Sequence, residues 1–441
     1  MGNLISSLLA GAARAVRFRN PGGVPGSGRR VDPVLRTAWD LYRDGDFAAA
    51  RAAASQLISL DRSMDEARRI LCLASHMTGD YAEAVGQYDR IRPSFPGRKH
   101  LVEPTAWSCI HLGDVPGAVR VLESAGFRLG TPLLNALRHW LEHPLEVKAD
   151  GLAELPFTDD RLSPFMPGIR VRINGQEAVA RLDTGASFLH LNTAWADRLG
   201  IRAAGRERSF AALSHDTIGY GGFANLELGS AALGNVPAYI HGKGLDPSSE
   251  RLAAAFGVEL GPIIGTNVLQ QFLATLDGPG CRLILSPRGD PGGASAHAAL
   301  LSGTATEVQF TMWSDHYMIA RGSLGPAPVN LFVDSGLVVV NAEQGQAALL
   351  ASKPVLKSWK TAVPDEGRLA VVPVALRLGE LSAENPTAFP VSASTWKRFG
   401  DWGGVRVDAL LSWGFLKACA WTIDFDRRMY VLRRPAAIEG G

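Results

Sequence analysis

Two tripeptides in this chain could carry acid–base chemistry. Asp183-Thr184-Gly185 sits in "RLDTGASFLH", and Asp334-Ser335-Gly336 sits in "NLFVDSGLVVV". One carboxylate cannot serve as both acid and base toward the same water, so a lone Asp183 would need a second. Asp334 supplies one from within the same chain. Two carboxylates about 3 Å apart do not both ionise readily; they hold one proton between them and titrate as a pair. The ionised member can take a proton from water while the protonated member donates to the group under attack. Gly185 and Gly336 allow a tight backbone turn, so that an amide N–H can aim at each carboxylate.

The elements that position these residues are written twice. Residues 261–285, "GPIIGTNVLQQFLATLDGPGCRLIL", align without a gap with 408–432, "DALLSWGFLKACAWTIDFDRRMYVL", at an offset of 147. The two aspartates stand 151 apart, so the second copy reads as four residues shorter between these landmarks. Short alternating runs such as "GIRVRING", "EAVARLD" and "CRLILSP", bounded by Gly and Pro, predict strands. The copies span about 155–288 and 304–434. Each runs through an apolar lead into the aspartate, an extended stretch, a Gly-rich hairpin region, an apolar pair, a short helix and a final strand.

This order resembles the retropepsin-like and pepsin-like aspartic peptidases over nearly all of 155–434. "DTGAS" and Ile263-Ile264-Gly265 carry the resemblance most specifically. It implies an all-β bilobal fold with pseudo-twofold symmetry. It also implies an aspartic endopeptidase in which Asp183 and Asp334 activate water against a peptide bond. Thr184 and Ser335 would brace the two loops, with Gly185 and Gly336 completing the scaffold. Substrate would meet Ser187, Tyr220 and Gly221, beneath a flap drawn from 209–222; the matching region of the second copy, near 358–370, reads as degenerate. With both halves in one chain, a monomer suffices for the site.

Three departures fall in the second copy. Leu337 and Val338 stand where small or hydroxyl residues are expected, and Ser412 stands where glycine is expected. Leu337 and Val338 either pack the second lobe and leave Asp334 working, or dry its surroundings, raise the carboxyl pKa and weaken catalysis. The second case would leave a peptide-binding scaffold, or a different acid–base reaction run by the same dyad. Neither aspartate has a hydroxyl three positions on, which predicts a pH optimum less acid than a digestive enzyme's.

Ahead of this lies a period of 34. Gly45-Asp46, Gly79-Asp80 and Gly113-Asp114 keep that step, as do the small residues Ala38, Cys72 and Ala106, and Ala50, Ala84 and Ala118. Such spacing predicts helical hairpins over 33–44 with 47–60, 66–78 with 81–92, and 101–112 with 115–125, closed by a helix at 131–142. The pattern resembles the tetratricopeptide repeat, over 32–145, and implies a groove that takes a protein partner. An intramolecular brace is the alternative. The fold class expected is therefore multidomain α plus β.

Composition narrows the rest. Basic and acidic residues number 45 and 43, which gives no field for nucleic acid. Cys72, Cys109, Cys281 and Cys419 form no CxxC pair, and the histidines show no ligand spacing, so no metal or other cofactor is expected. Residues 1–31 read as a frayed tail or as a short amphipathic helix able to touch a membrane. The cytoplasm is favoured, and a peripheral membrane position is compatible.

Overall fold

The computed structural model describes residues 33–434 apart from 127–131, 203–204, 212–213, 242–244, 246, 342, 365–367, 395 and 397–402. The N-terminal segment 1–31 lies outside the described residues. Helices come first: α1 Pro33–Arg43, α2 Phe47–Leu60, α3 Asp65–Thr78, α4 Tyr81–Arg90, α5 Val102–His111, α6 Val115–Ser124 and α7 Pro132–Glu142. Their ends fall within two residues of those predicted from the period.

The Gly-Asp pairs explain why the helices stop and restart where they do. Gly45, Gly79 and Gly113 have φ of +80°, +84° and +75°, a region that glycine enters without a steric penalty. Asp46, Asp80 and Asp114 then cap the next helix, their carboxylates accepting from the N–H groups of Ala49, Glu83 and Gly117. The six small residues that keep the same step are fully buried where paired helices approach.

From Glu146 onward strands dominate. The first lobe forms an eight-stranded sheet in the order Glu146–Ala149, Ala231–His241, Leu189–Asn192, Ile263–Gly265, Gln176–Asp183, Gly168–Ile173, Ser214–Leu228 and Gly205–Ala211. The lobe thus starts earlier than the 155 read from sequence, because Glu146–Ala149 pairs with Ala231–His241. The second lobe repeats the central part of this order. Tyr317–Leu324 pairs with Ala327–Asp334, which lies parallel to Ala409–Ser412, which in turn pairs with Leu349–Ser352.

Six further strands join the lobes. Ala153–Pro156, Arg282–Pro287 and Phe272–Asp277 come from the first, and Ala420–Asp424, Met429–Arg434 and Thr304–Trp313 from the second. At the seam Ala274 faces Ile423, Thr275 faces Thr422, and Leu276 faces Trp421. Residues 147 apart therefore meet at the centre, and the Thr275 and Thr422 hydroxyls hydrogen-bond at 2.6 Å. The pseudo-twofold axis passes through this pair. A linker helix, Pro291–Ala299, packs beside it. Its buried His297 bonds Thr275 Oγ1 at 2.6 Å and Ser286 Oγ at 2.9 Å.

The helices and both lobes share one continuous apolar core. The turns of the hairpins dock on lobe 2. Asn330 fills the space beside Gly45 and donates from Nδ2 to the Asp44 carbonyl at 3.2 Å. Arg428 fills the space beside Gly79, donates to the Met77 carbonyl at 2.6 Å and to the Tyr81 hydroxyl, and lies over the Tyr81 ring. No helix among the described residues is long and apolar enough to cross a membrane.

Candidate active site

Each aspartate ends a strand that runs parallel to its support. Asp183 stands opposite Gly265, and Asp334 stands opposite Ser412. The two loops then grip each other across the lobes. Thr184 N–H donates to Ser335 Oγ and Ser335 N–H donates to Thr184 Oγ1, both at 3.0 Å. The hydroxyls pass on to carbonyls beyond: Thr184 Oγ1 donates to Val333 O at 3.3 Å, and Ser335 Oγ to Leu182 O at 3.1 Å. All four groups are buried, so every donor and acceptor here finds its partner inside the protein.

This grip brings the carboxyl groups together. A Cβ added to Gly336 would lie 2.0 Å from Asp183 Cγ, and one added to Gly185 would lie 2.5 Å from Asp334 Oδ2. Only glycine permits so close an approach. The same glycines point their N–H groups at their own aspartates, with Gly185 N to Asp183 Oδ1 and Gly336 N to Asp334 Oδ1 both 2.8 Å. Burial and the neighbouring Asp334 carboxyl push the Asp183 pKa well above the usual carboxylate range. The arrangement can hold one proton between two carboxyls.

The supports differ between lobes. Gly265 admits no side chain, because a Cβ there would lie 1.3 Å from the Ser187 carbonyl oxygen. Ser412 fits in the matching place because its loop takes another path. Asp183 stands 6 positions before Leu189, whereas Asp334 stands 15 before the equivalent Leu349, so the second copy carries 9 more residues there (15 against 6). The insertion forms a small hairpin, Val340–Asn341 with Gly345–Gln346. Ser412 Oγ then donates toward the Ala347 and Ala348 carbonyls and caps the helix Trp413–Leu416.

The four-residue deficit between aspartate and support holds, as the net of two larger differences. Leu189 to Ile264 spans 75 positions and Leu349 to Leu411 spans 62, so a loss in one place hides a gain in another. Leu337 and Val338 belong to the inserted path. Leu337 enters the main core, and Val338 packs with Leu162, Met166, Leu260 and Ile263 of lobe 1.

Ser187 follows the Asp183 loop and its Oγ lies 3.2 Å from His190 Nε2; His190 Nδ1 lies 2.7 Å from His241 Nε2. Burial first, then His241, pushes the His190 pKa well below its ordinary value. Tyr220 and Gly221 lie on the strand Ser214–Leu228, which pairs with Gly205–Ala211 as the hairpin expected for a flap. Their side chains and the tip at 212–213 are outside the described residues. Among the described residues of the corresponding stretch in lobe 2, the strand is the short Ala370–Val371. Sequence reasoning missed the turn Ser314-Asp315-His316 and Tyr317, which have no motif; burial first, then the carboxyls of Asp315, Glu103, Asp334 and Asp183, hold the Tyr317 pKa well above its ordinary value.

Residues 169–271 match the family model of the gag-polyprotein putative aspartyl protease, and residues 35–99 match that of the tetratricopeptide repeat. No curated protein matches the chain. The chain is thus similar to tetratricopeptide repeats in its helical part and to a retropepsin-like aspartyl protease in the strands that follow.

Proposed function

We propose that the protein is an aspartic endopeptidase in which Asp183 and Asp334 act as the catalytic dyad. The observation that carries this reading is the reciprocal Thr184–Ser335 grip, which leaves each aspartate's carboxyl against the other loop's glycine. A water held between the carboxyls would lose a proton to the ionised member and attack the scissile carbonyl. The protonated member would stabilise the carbonyl oxygen and later deliver a proton to the leaving nitrogen. The hairpin Gly205–Ala211 with Ser214–Leu228 would close over the peptide, with Ser187, Tyr220 and Gly221 as contacts.

Tetratricopeptide repeats suggest protein–protein interaction. Here their turn edge is taken up by lobe 2, so a protein partner would use the remaining faces. The proposed positions of the modules are 32–145 for the repeats, about 146–288 for lobe 1 and 304–434 for lobe 2.

The test is a peptide-library digest by wild type beside Asp183→Asn and Asp334→Asn. Each substitution is expected to lower kcat/KM by at least about a thousandfold, because neither half can supply both acid and base. Cleavage that survives both would sink the dyad. An optimum below about pH 4 would contradict the less acid range expected from the absent hydroxyls at Ala186 and Leu337. No cleavage from pH 3 to 8 would favour a peptide-binding role.

A further inference from the structure

A cavity of about 400 Å³ lies where the helical repeats meet both lobes. Its size falls within the range of small-molecule sites, which favour the seams between modules. The walls are largely aromatic: Trp107 and Trp140 come from α5 and α7, Phe188 from lobe 1, and Phe310 and Phe425 from lobe 2. Phe188 lies against both indoles, with ring centres 6.5 Å from Trp107 and 5.5 Å from Trp140. Neither Asp183 nor Asp334 lines this cavity.

Two polar side chains of the lining are buried without the partners their chemistry calls for. Arg428 is 9% exposed and Asn267 is 3% exposed. Arg428 donates to the Met77 carbonyl and the Tyr81 hydroxyl, both uncharged acceptors. Carboxylates answer the arginines nearby: Glu307 pairs with Arg427 at 2.8 Å, and Asp426 pairs with Arg288 at 2.6 Å. Among the described residues no carboxylate pairs with Arg428. Met77 belongs to the last turn of α3, whose C-terminus carries about half a negative charge, so about half of the guanidinium charge is unanswered. A buried cation in that state is costly. Asn267 Oδ1 likewise has no hydrogen-bond partner. The described lining contains no Asp or Glu, and burial pushes the His111 pKa down to about 4, which leaves that ring uncharged at pH 7.

We propose that this cavity binds a small organic acid, with its carboxylate paired to Arg428, its apolar body among the aromatic rings, and a hydroxyl or N–H of the same molecule donating to Asn267 Oδ1. One unanswered cation calls for a single negative charge, and the planar guanidinium matches a carboxylate in shape. The apolar rings call for an aryl or branched alkyl body. Such an acid would bridge the repeats and lobe 2 through Arg428, which already bonds Met77 and Tyr81. The site stands whether or not Asp183 and Asp334 cleave peptides.

The test is titration calorimetry on the full chain at pH 7 with phenyllactate, its neutral amide, and the dipeptide acetyl-alanyl-phenylalanine with a free C-terminus. Wild type is expected to bind phenyllactate at least about tenfold more tightly than the amide, because the unpaired cation selects the anion. Asp183→Asn should bind it as wild type does. Arg428→Gln should erase the preference, and Arg428→Lys should keep part of it; thermal unfolding accompanies both, since Arg428 also fills the space beside Gly79. Val115→Trp leaves Arg428 in place and fills the cavity from a half-buried position on its wall. It should weaken phenyllactate at least about tenfold, as a pocket already full admits no ligand. Equal binding of acid and amide, no binding of either, or wild-type affinity in Val115→Trp would overturn the proposal. A dipeptide held more tightly than phenyllactate would give the cavity to chain ends and overturn the assignment to a small acid. Binding lost in Asp183→Asn but kept in Val115→Trp would place the acid between the aspartates and overturn it as well.

Discussion

The two aspartate loops are built to one plan but are supported in opposite ways. In lobe 1 the loop closes so tightly over Gly265 that no Cβ fits; in lobe 2 the inserted hairpin opens the space, and Ser412 fills it with hydrogen bonds. The residues that cross between lobes have kept their likeness: Thr184 with Ser335, Thr275 with Thr422. The comparison teaches that likeness is kept where the two copies bond to each other at the axis. Away from the axis the copies diverge, even where Val338 of the insertion packs on lobe 1.

The most severe way to break the comparison is to exchange its supports. Gly265→Ser should cost more than about 4 kcal/mol, since the backbone of the Asp183 loop has to move, and activity should go with it. Urea unfolding would show this. The reverse change, Ser412→Gly, removes the cap and the carbonyl contacts without a clash and should cost about 2 kcal/mol, leaving a folded protein. If the two substitutions cost the same, the supports are not different in kind.

A second asymmetry lies at the axis itself, where His297 bonds Thr275 of one lobe. Burial, and then Arg282, lowers the His297 pKa to about 4. The unfolded chain takes up this proton near 6.5, so the buried neutral ring contributes stability above that pH and loses it as pH falls to 4. The loss expected is about 3 kcal/mol across that window. In His297→Gln this part of the pH dependence should vanish, leaving the variant weaker than wild type at pH 7 and closer to it at pH 4.5. Equal pH slopes in the two proteins would remove His297 from the account.

The smallest effect sharpens the reading of the insertion. Val338→Ala should cost about 1 kcal/mol, because it removes packing against lobe 1, while kcat/KM stays within about twofold. A large loss of activity without loss of stability would return Val338 to the immediate surroundings of Asp334.

The helical hairpins were legible almost to the residue, because Gly-Asp pairs act locally: one residue ends a helix and the next begins another. The turns at Asp183-Thr184-Gly185 and Asp334-Ser335-Gly336 were legible for a similar reason, since a tripeptide carries its own turn. The nine-residue insertion was not, because an offset between distant landmarks reports only the net of gains and losses. Ser412 therefore read only as a departure from glycine, with no sign of the carbonyls it bonds. The turn at His316 was hidden for another reason: its position depends on His76, Glu103 and His111, more than two hundred residues earlier in the chain. The linker helix Pro291–Ala299 is rich in Gly and Ala and shows little periodicity to read.

The docking of Asn330 beside Gly45 and of Arg428 beside Gly79 works like a key with two teeth. The teeth are set on lobe 2 at the pitch of one repeat, while at the third turn the space beside Gly113 is left unfilled and borders a cavity of about 400 Å³. Free-standing solenoids can gain or lose units because each unit meets only its neighbours. This one cannot change its count between those two turns without stripping a tooth. Growth is open to it only beyond the keyed pair, and the repeat number becomes a property of lobe 2 as much as of the helices.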